Sequence, residues 1–181
     1  MAEANTGKGS RTERVVAPEF VQELGSLTVE EVHLRRDEAL AEREFQSYLR
    51  RLVQVRQDIL RAERDRRASG ESQAPLVERL TSVLSEGPPR GPGRGEALSL
   101  GPSAEDMEEA EGIADAATGG PLVSELDTLD DAALERALEA LAEQERSISV
   151  DRVAVLRVHD QLQEELKRRY REDPSAIPTE V

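Results

Sequence analysis

The chain lacks cysteine altogether and is poor in aromatic residues, which make up 2% of its 181 residues. Without cysteine it can form no disulfide bond and offers no thiolate ligand to a metal. Aromatic side chains bury the largest areas, so their scarcity argues against a broad core. No run of about 18 apolar residues predicts a transmembrane helix, and the first residues lack the apolar stretch of a signal peptide. We therefore expect a cytoplasmic protein without a membrane anchor.

Negative charge is concentrated in the middle of the chain. The formal net charge is −14, and residues 71–150 carry 18 acidic and 5 basic side chains, whereas residues 1–70 carry 13 of each. A chain of this charge repels nucleic acid, so we expect no direct DNA binding. The acidic region would suit a basic protein partner, although a run of charge is often only a solvated helix face.

Helical signals dominate, and no alternating pattern predicts a strand. Thr28 and Glu31 fit a capping box, and neither Gly nor Pro occurs again until Gly70, which predicts a helix near 28–69. A second helix, near 128–171, carries apolar residues in the 4-3 spacing of a coiled coil. The sequence predicts an all-α fold of two long helices, which the residues alone allow to run parallel or antiparallel.

The polar members of the second helix's seam are Glu145, Arg152 and His159. Polar seam residues weaken a coiled coil, so they either fix its register or face a ligand. For His159 the two roles are equally supported.

The remaining segments predict the domain boundaries. We expect residues 1–17 and 173–181 to be disordered tails and residues 18–172 to form one helical-hairpin domain. Within this domain, residues 75–84 have the pattern of a short extra helix. Residues from about 86 to 122 are rich in Gly, Pro and acidic side chains, which predicts a flexible linker.

The two predicted helices align when the chain is shifted by 102 residues. The ordered triple Ser-x-x-Arg-x-x-x-x-x-x-x-Asp then occurs twice, as Ser47, Arg50 and Asp58 and as Ser149, Arg152 and Asp160. At about 100° per residue, each triple lies along one face of its helix. The arginine and the aspartate of a triple are too far apart for an i,i+4 ion pair, so we expect these groups to be free to meet a ligand.

The chemistry of this stripe suits a guanine nucleotide. Arginine can donate two hydrogen bonds to guanine O6 and N7, and a carboxylate can accept from the N1–H and amino groups. A serine hydroxyl can donate to a phosphate oxygen. Two such stripes would suit a ligand with twofold symmetry, whereas the plainer alternative is a solvated helix face that happens to repeat.

The doubled pattern resembles the motif of the RsiG family of actinobacterial anti-sigma factors, E-x-x-x-S-x-x-R-x-x-x-Q-x-x-x-D on each of two helices. Here the second copy reads Glu145, Ser149, Arg152, Leu156 and Asp160, and the first reads Arg43, Ser47, Arg50, Gln54 and Asp58. Similarity also covers SYLRRLVQ at 47–54 and KRRYRE at 167–172. Arg43 stands where the motif has Glu, and Leu156 stands where it has Gln.

The resemblance implies an antiparallel coiled coil that binds cyclic di-GMP, as a dimer, as its regulatory ligand, with no metal. It also implies a complex with a WhiG-like sporulation sigma factor, which blocks the transcription that this sigma factor directs. The ligand-binding residues implied are Arg43, Ser47, Arg50, Gln54, Asp58, Glu145, Ser149, Arg152 and Asp160. The alternative is a ligand-free coiled-coil adaptor or scaffold. We expect no enzyme, because neither a His-Glu-x-x-His pair nor a phosphate loop with its lysine occurs.

Overall fold

A computed structural model describes residues 6–70, 102–120 and 126–174. These residues form helices and connecting turns without a strand, which confirms the all-α fold. The helices are α1 (Thr6–Val16), α2 (Pro18–Val21), α3 (Val29–Ser69), α4 (Ala104–Thr118) and α5 (Asp131–Glu172). The 3-10 turns Leu24–Ser26 and Leu126–Thr128 precede the two long helices, α3 and α5. The short helix expected at 75–84 lies outside the described residues, as do most of the expected linker and residues 175–181.

The ends of α3 follow the predicted signals. Thr28 Oγ1 accepts from the Glu31 amide at 3.2 Å, and a Glu31 carboxylate oxygen accepts from the Thr28 amide at 2.7 Å. This is the capping box, which satisfies two amides that the helix itself leaves unpaired. Gly70 has a φ of +69°, a left-handed conformation that favours glycine after the last helical turn.

The chain divides into two compact units, and each long helix contributes one part to each of them. Unit 1 comprises Met1–Ser47 and Ile148–Val181, and unit 2 comprises Tyr48–Ser147. The apolar members of the predicted seam on α5 are all 9% exposed or less, which confirms the 4-3 pattern. They are Leu134, Leu138, Leu141, Ile148, Val155, Leu162 and Leu166.

In unit 1, the beginning of α3 packs beside the end of α5. His33 contacts Tyr170, and Ser47 contacts Arg152. Positions rise along one helix as they fall along the other, so the two helices run antiparallel. The buried core of this unit consists of Val15, Val32, Ala39, Val155, Val158, Leu162 and Leu166.

In unit 2, the end of α3 packs beside the beginning of α5. Gln54 bonds to Glu145, and Arg67 bonds to Asp131, so the two helices run antiparallel here as well. The antiparallel order implied by the resemblance is therefore confirmed. Buried apolar side chains of this unit include Leu49, Val53, Leu60, Ala110, Ala114, Leu134, Leu138 and Leu141.

The N-terminal segment differs from the disordered tail expected for residues 1–17. Thr6–Val16 forms α1, and Val15 of this helix is fully buried in the core of unit 1. Thr12 Oγ1 bonds to Glu42 Oε1 at 2.5 Å, and Gln46 Nε2 donates to Thr12 Oγ1 at 2.9 Å. Buried polar groups require partners, and α1 supplies them to the buried side chains of Glu42 and Gln46. Local composition carries no sign of these tertiary contacts.

The second difference is α4, which occupies part of the linker expected from about 86 to 122. Ser103 and Asp106 form a capping box at its start. Within unit 2, Arg56 Nη2 lies 2.7 Å from Asp115 Oδ1, and Gln144 Nε2 donates to the Ile113 carbonyl at 3.0 Å. The Arg56 side chain is only 10% exposed, so its buried charge requires the nearby carboxylate. These contacts hold α4 against the unit.

In unit 2, an arginine near the end of α3 binds the segment that precedes α5. Arg67 Nη1 donates to the Leu129 carbonyl at 2.8 Å, and Nη2 donates to the Leu126 carbonyl at 3.2 Å. Its Nε donates to Glu63 Oε1 at 2.8 Å, and Glu63 is 1% exposed. Hydrogen bonds to these two carboxylates, Glu63 first and Asp131 second, raise the pKa of Arg67. We call this arrangement the arginine clamp of unit 2.

Unit 1 contains an equivalent clamp, whose residues are offset from those of unit 2 by 102 positions. Arg169 Nη1 donates to the Leu27 carbonyl at 2.7 Å, Nη2 donates to the Leu24 carbonyl, and Nε donates to Glu165 Oε1 at 2.7 Å. The clamp residues of the two units correspond one to one: Glu63 with Glu165, Arg67 with Arg169, Leu126 with Leu24 and Leu129 with Leu27. The repeat in the sequence is therefore also a repeat of contacts.

No helix in the described ranges is both long enough and apolar enough to cross a membrane.

The clamp predicts a pH-dependent loss of stability. A hydrogen bond from Arg168, together with one from Arg169, lowers the pKa of Glu165 from 4.5 to about 2 although burial opposes the shift. A carboxyl group whose pKa is lower in the folded state than in the unfolded state contributes its full stabilisation at pH values above its unfolded-state pKa. This stabilisation disappears as the pH falls through the folded-state pKa. We expect Glu165→Gln to lower the free energy of unfolding by about 1–3 kcal/mol at pH 7.

Urea denaturation at pH 7 and at pH 3 measures this effect. The difference between the wild type and Glu165→Gln should shrink by more than half at the lower pH. Glu164→Gln is the matched control, because Glu164 is 66% exposed and pairs with Lys167 on the surface, and its effect should be much smaller. A difference for Glu165→Gln that does not change with pH would contradict the prediction.

Candidate ligand-binding site

Three members of the predicted stripes meet in unit 2 around the carboxylate of Glu145. Gln54 Nε2 donates to Glu145 Oε1 at 2.6 Å, and Arg50 Nη2 lies 3.4 Å from the same oxygen. Gln57, which the motif does not include, donates from Nε2 to Glu145 Oε2 at 3.3 Å. We call these four residues the Glu145 cluster. Its carboxylate is held from both sides by neutral amides and one guanidinium group.

The Glu145 cluster is partly open to solvent. The side chains of Arg50 and Glu145 are 38% and 24% exposed, whereas Gln57 is 1% exposed. The Nε atom of Arg50 is buried without a hydrogen-bond partner among the described residues. The cluster thus has a buried floor and an accessible outer side, and each carboxylate oxygen can accept more than one hydrogen bond.

Asp58 is the remaining stripe residue of unit 2. It is exposed, and its Oδ1 accepts from Arg61 Nη1 at 3.0 Å. The same guanidinium group donates from Nη2 to Gln57 Oε1 at 2.8 Å. A carboxylate can accept several hydrogen bonds, so Asp58 can accept from a ligand while it pairs with Arg61.

The stripe residues of unit 1 are more loosely held. Arg152 Nε donates to Ser47 Oγ at 3.2 Å, and Ser149 on α5 is half-buried. Asp160 is exposed, and its Oδ1 lies 3.5 Å from His159 Nδ1, which is too long for a strong hydrogen bond. His159 Nδ1 is buried and has no hydrogen-bond partner among the described residues.

Both departures from the family motif fall in unit 1. Arg43 corresponds by the repeat to Glu145, and Leu156 corresponds to Gln54. Because the helices run antiparallel, Glu145 of the second copy meets Gln54 of the first copy in unit 2, whereas Arg43 and Leu156 both belong to unit 1. Arg43 pairs with Glu44 at 2.8 Å. Unit 2 therefore holds the complete Glu and Gln pair, and unit 1 holds neither member of it.

Several stripe groups contact partners across the two helices, beyond what the spacing within one helix predicted. Arg50, Gln54 and Glu145 interact with one another in unit 2, and Ser47 interacts with Arg152 in unit 1. The intrahelical spacing from Arg50 to Asp58 does preclude a pair within one helix. It says nothing about partners on the other helix, which depend on the register between the two.

Gln57 and Arg61 are polar neighbours of the stripe that the sequence reading missed. The available signal was their spacing, since Gln54, Gln57 and Arg61 follow one another at three and four residues on one helix face. A glutamine that is 1% exposed between two charged groups also indicates that the cluster extends beyond the motif. Among the described residues, no group of three or more His, Asp or Glu side chains is arranged to hold a metal ion.

Residues 18–84 match the model of the RsiG-like family. Over these residues the chain is similar to the RsiG-like family. The match confirms the resemblance and indicates a regulator of the anti-sigma factor type. It includes the first motif copy, from Arg43 to Asp58, whereas the second copy lies beyond it. A search of curated proteins gave no significant match.

The Glu145 cluster predicts a specific pattern of stability changes. Glu145→Ala removes the acceptor of the buried Gln57 amide, and an unsatisfied buried donor costs about 1–3 kcal/mol. We therefore expect this variant to lower the free energy of unfolding in urea by that amount.

Glu143→Ala is the matched control two positions away, because Glu143 is 74% exposed and pairs with Arg146 on the surface. It should change the free energy of unfolding by less than about 0.5 kcal/mol. Equal effects of the two variants would mean that the contacts around Glu145 are not maintained in solution.

Proposed function

We propose that this chain is an anti-sigma factor that binds cyclic di-GMP through its two stripes and holds a WhiG-like sporulation sigma factor away from transcription. The observation that supports the ligand most directly is the Glu145 cluster. It gathers a guanidinium group, an amide and a carboxylate from both motif copies into one partly exposed site in unit 2. Such a site has the donors and acceptors that a guanine base requires.

Each unit has a separate part in this proposal. In unit 2, Arg50 donates to guanine O6 and N7, while Asp58 or Glu145 accepts from the N1–H and amino groups. In unit 1, Arg152 and Asp160 take the same roles, and Ser47 and Ser149 donate to phosphate oxygens. Arg43 replaces a carboxylate by a cation, which favours phosphate over the N–H edge of a base. The two units therefore contribute unequally to ligand binding.

The sigma factor is supported by charge as well as by family. A sigma factor needs a basic surface to meet DNA phosphate, and residues 71–150 of this chain carry 18 acidic side chains against 5 basic ones. The exposed acidic face of α4, with Glu105, Glu108 and Glu111, belongs to that region. An acidic helical protein can cover a basic DNA-binding surface and so prevent promoter binding.

Apolar side chains differ in how far they are available to a protein partner. Phe20, Val21, Leu24 and Leu27 are partly buried against the core of unit 1, and Leu49 is fully buried. Apolar side chains that the described surface does expose include Leu34, Val150 and Val153, at 70%, 69% and 44% exposure.

A ligand-free coiled-coil adaptor is the second candidate. The observation that favours it is that Glu145 already interacts with Arg50 and Gln54, so the cluster has a structural role without any ligand. Isothermal titration of the full chain with cyclic di-GMP separates the two candidates, because an adaptor gives no binding heat.

Variants on α5 make this titration specific. Arg152→Ala and Asp160→Ala should each weaken cyclic di-GMP binding by about 1–3 kcal/mol, the range for a charged hydrogen bond, or roughly five- to 150-fold. The control is Arg157→Ala, an exposed arginine on the same helix outside the motif, which should bind like the wild type. Wild-type affinity in both motif variants would remove these residues from the site.

A further inference from the structure

Two side chains outside the repeated motif connect two motif carboxylates in unit 2. Gln57 Nε2 donates to Glu145 Oε2 at 3.3 Å, and Gln57 Oε1 accepts from Arg61 Nη2 at 2.8 Å. The other terminal nitrogen of Arg61 donates to Asp58 Oδ1 at 3.0 Å. The chain of contacts therefore runs from Asp58 through Arg61 and Gln57 to Glu145. We call Gln57 and Arg61 the relay.

The chemistry of the relay fixes the direction of the Gln57 amide. A guanidinium group only donates hydrogen bonds, so the amide oxygen must face Arg61. The amide nitrogen then faces Glu145, which can accept as a carboxylate. Gln57 is 1% exposed, so water cannot easily replace either partner and reversing the amide would leave buried groups unsatisfied. Glu145 is thus oriented with its remaining lone pairs directed away from Gln57.

Unit 1 has no counterpart of the relay. By the 102-residue correspondence, His159 stands in the place of Gln57, Gln163 in that of Arg61 and Arg43 in that of Glu145. His159 Nδ1 is buried without a hydrogen-bond partner among the described residues. The relay therefore belongs to the unit that also holds the complete Glu and Gln pair of the motif.

We propose that Gln57 and Arg61 are positioning residues that orient Glu145 and Asp58 as hydrogen-bond acceptors and so select guanine over adenine. This inference rests on the proposed function. Guanine presents N–H donors at N1 and at its amino group, whereas adenine has an acceptor at N1. Two fixed carboxylates favour the first pattern and repel the second. A loosened Glu145 would lose affinity for cyclic di-GMP and discriminate less well against cyclic di-AMP.

Isothermal titration of the full chain with cyclic di-GMP and, separately, with cyclic di-AMP tests the relay. Gln57→Leu and Arg61→Met should each weaken cyclic di-GMP binding about tenfold, the effect of losing one to two hydrogen bonds, and should change cyclic di-AMP binding much less. The controls are Gln163→Leu, at the position of unit 1 that corresponds to Arg61, and Arg64→Met, an exposed arginine paired with its neighbour Asp65. Both controls should bind like the wild type.

A double-mutant comparison identifies Glu145 as the group through which Gln57 acts. In a Glu145→Gln background, Gln57→Leu should cause no further loss of affinity, because the carboxylate that it orients is gone. Circular dichroism confirms the fold of each variant. If Gln57→Leu does not fold, the exposed Arg61→Met decides the test alone.

Two results would overturn the relay while leaving the proposed function intact: wild-type cyclic di-GMP affinity in Arg61→Met and Gln57→Leu, or the same loss from Gln57→Leu with and without Glu145. Absence of binding by the wild type would overturn the proposed function and, with it, this inference.

Discussion

The arginine clamp in each unit sets the register of the two long helices, on which the other cross-helix contacts depend. In unit 2, Arg67 binds two carbonyls that precede α5 and also the buried Glu63. In unit 1, Arg169 does the same with the carbonyls before α3 and with Glu165. A slip of one helical turn, about 5.4 Å, would separate each guanidinium from its carbonyls.

Register decides which motif residues meet. With the clamps closed, Glu145 lies beside Gln54 in unit 2, and Arg152 lies beside Ser47 in unit 1. The two substitutions in the motif, Arg43 and Leu156, then belong to the same unit. Two imperfect copies in the sequence therefore become one unit that holds the Glu and Gln of the motif and one unit in which both are replaced. This arrangement accounts for the unequal contributions that we propose for the two units.

Local signals in the sequence predicted the long helices, because caps and periodicity act over one or two turns. Thr28 begins α3, Gly70 ends it, and the 4-3 seam of α5 is buried as expected. Contacts between distant residues had no such signal. Helix α1 forms where Thr12 reaches Glu42, and Gln54 meets Glu145 across 91 residues. The sequence alone could not place Gln57 in the site, since its burial depends on which residues of α5 lie opposite it.

We propose that cyclic di-GMP strengthens a complex between this chain and a WhiG-like sigma factor. By linkage, such a ligand must bind the complex more tightly than it binds the chain alone. The most direct test measures retention of the sigma factor on the immobilised full chain with and without cyclic di-GMP. We expect clearly greater retention of the sigma factor when cyclic di-GMP is present. Equal retention in both conditions would contradict the role of the ligand, and no retention in either would contradict the anti-sigma function itself.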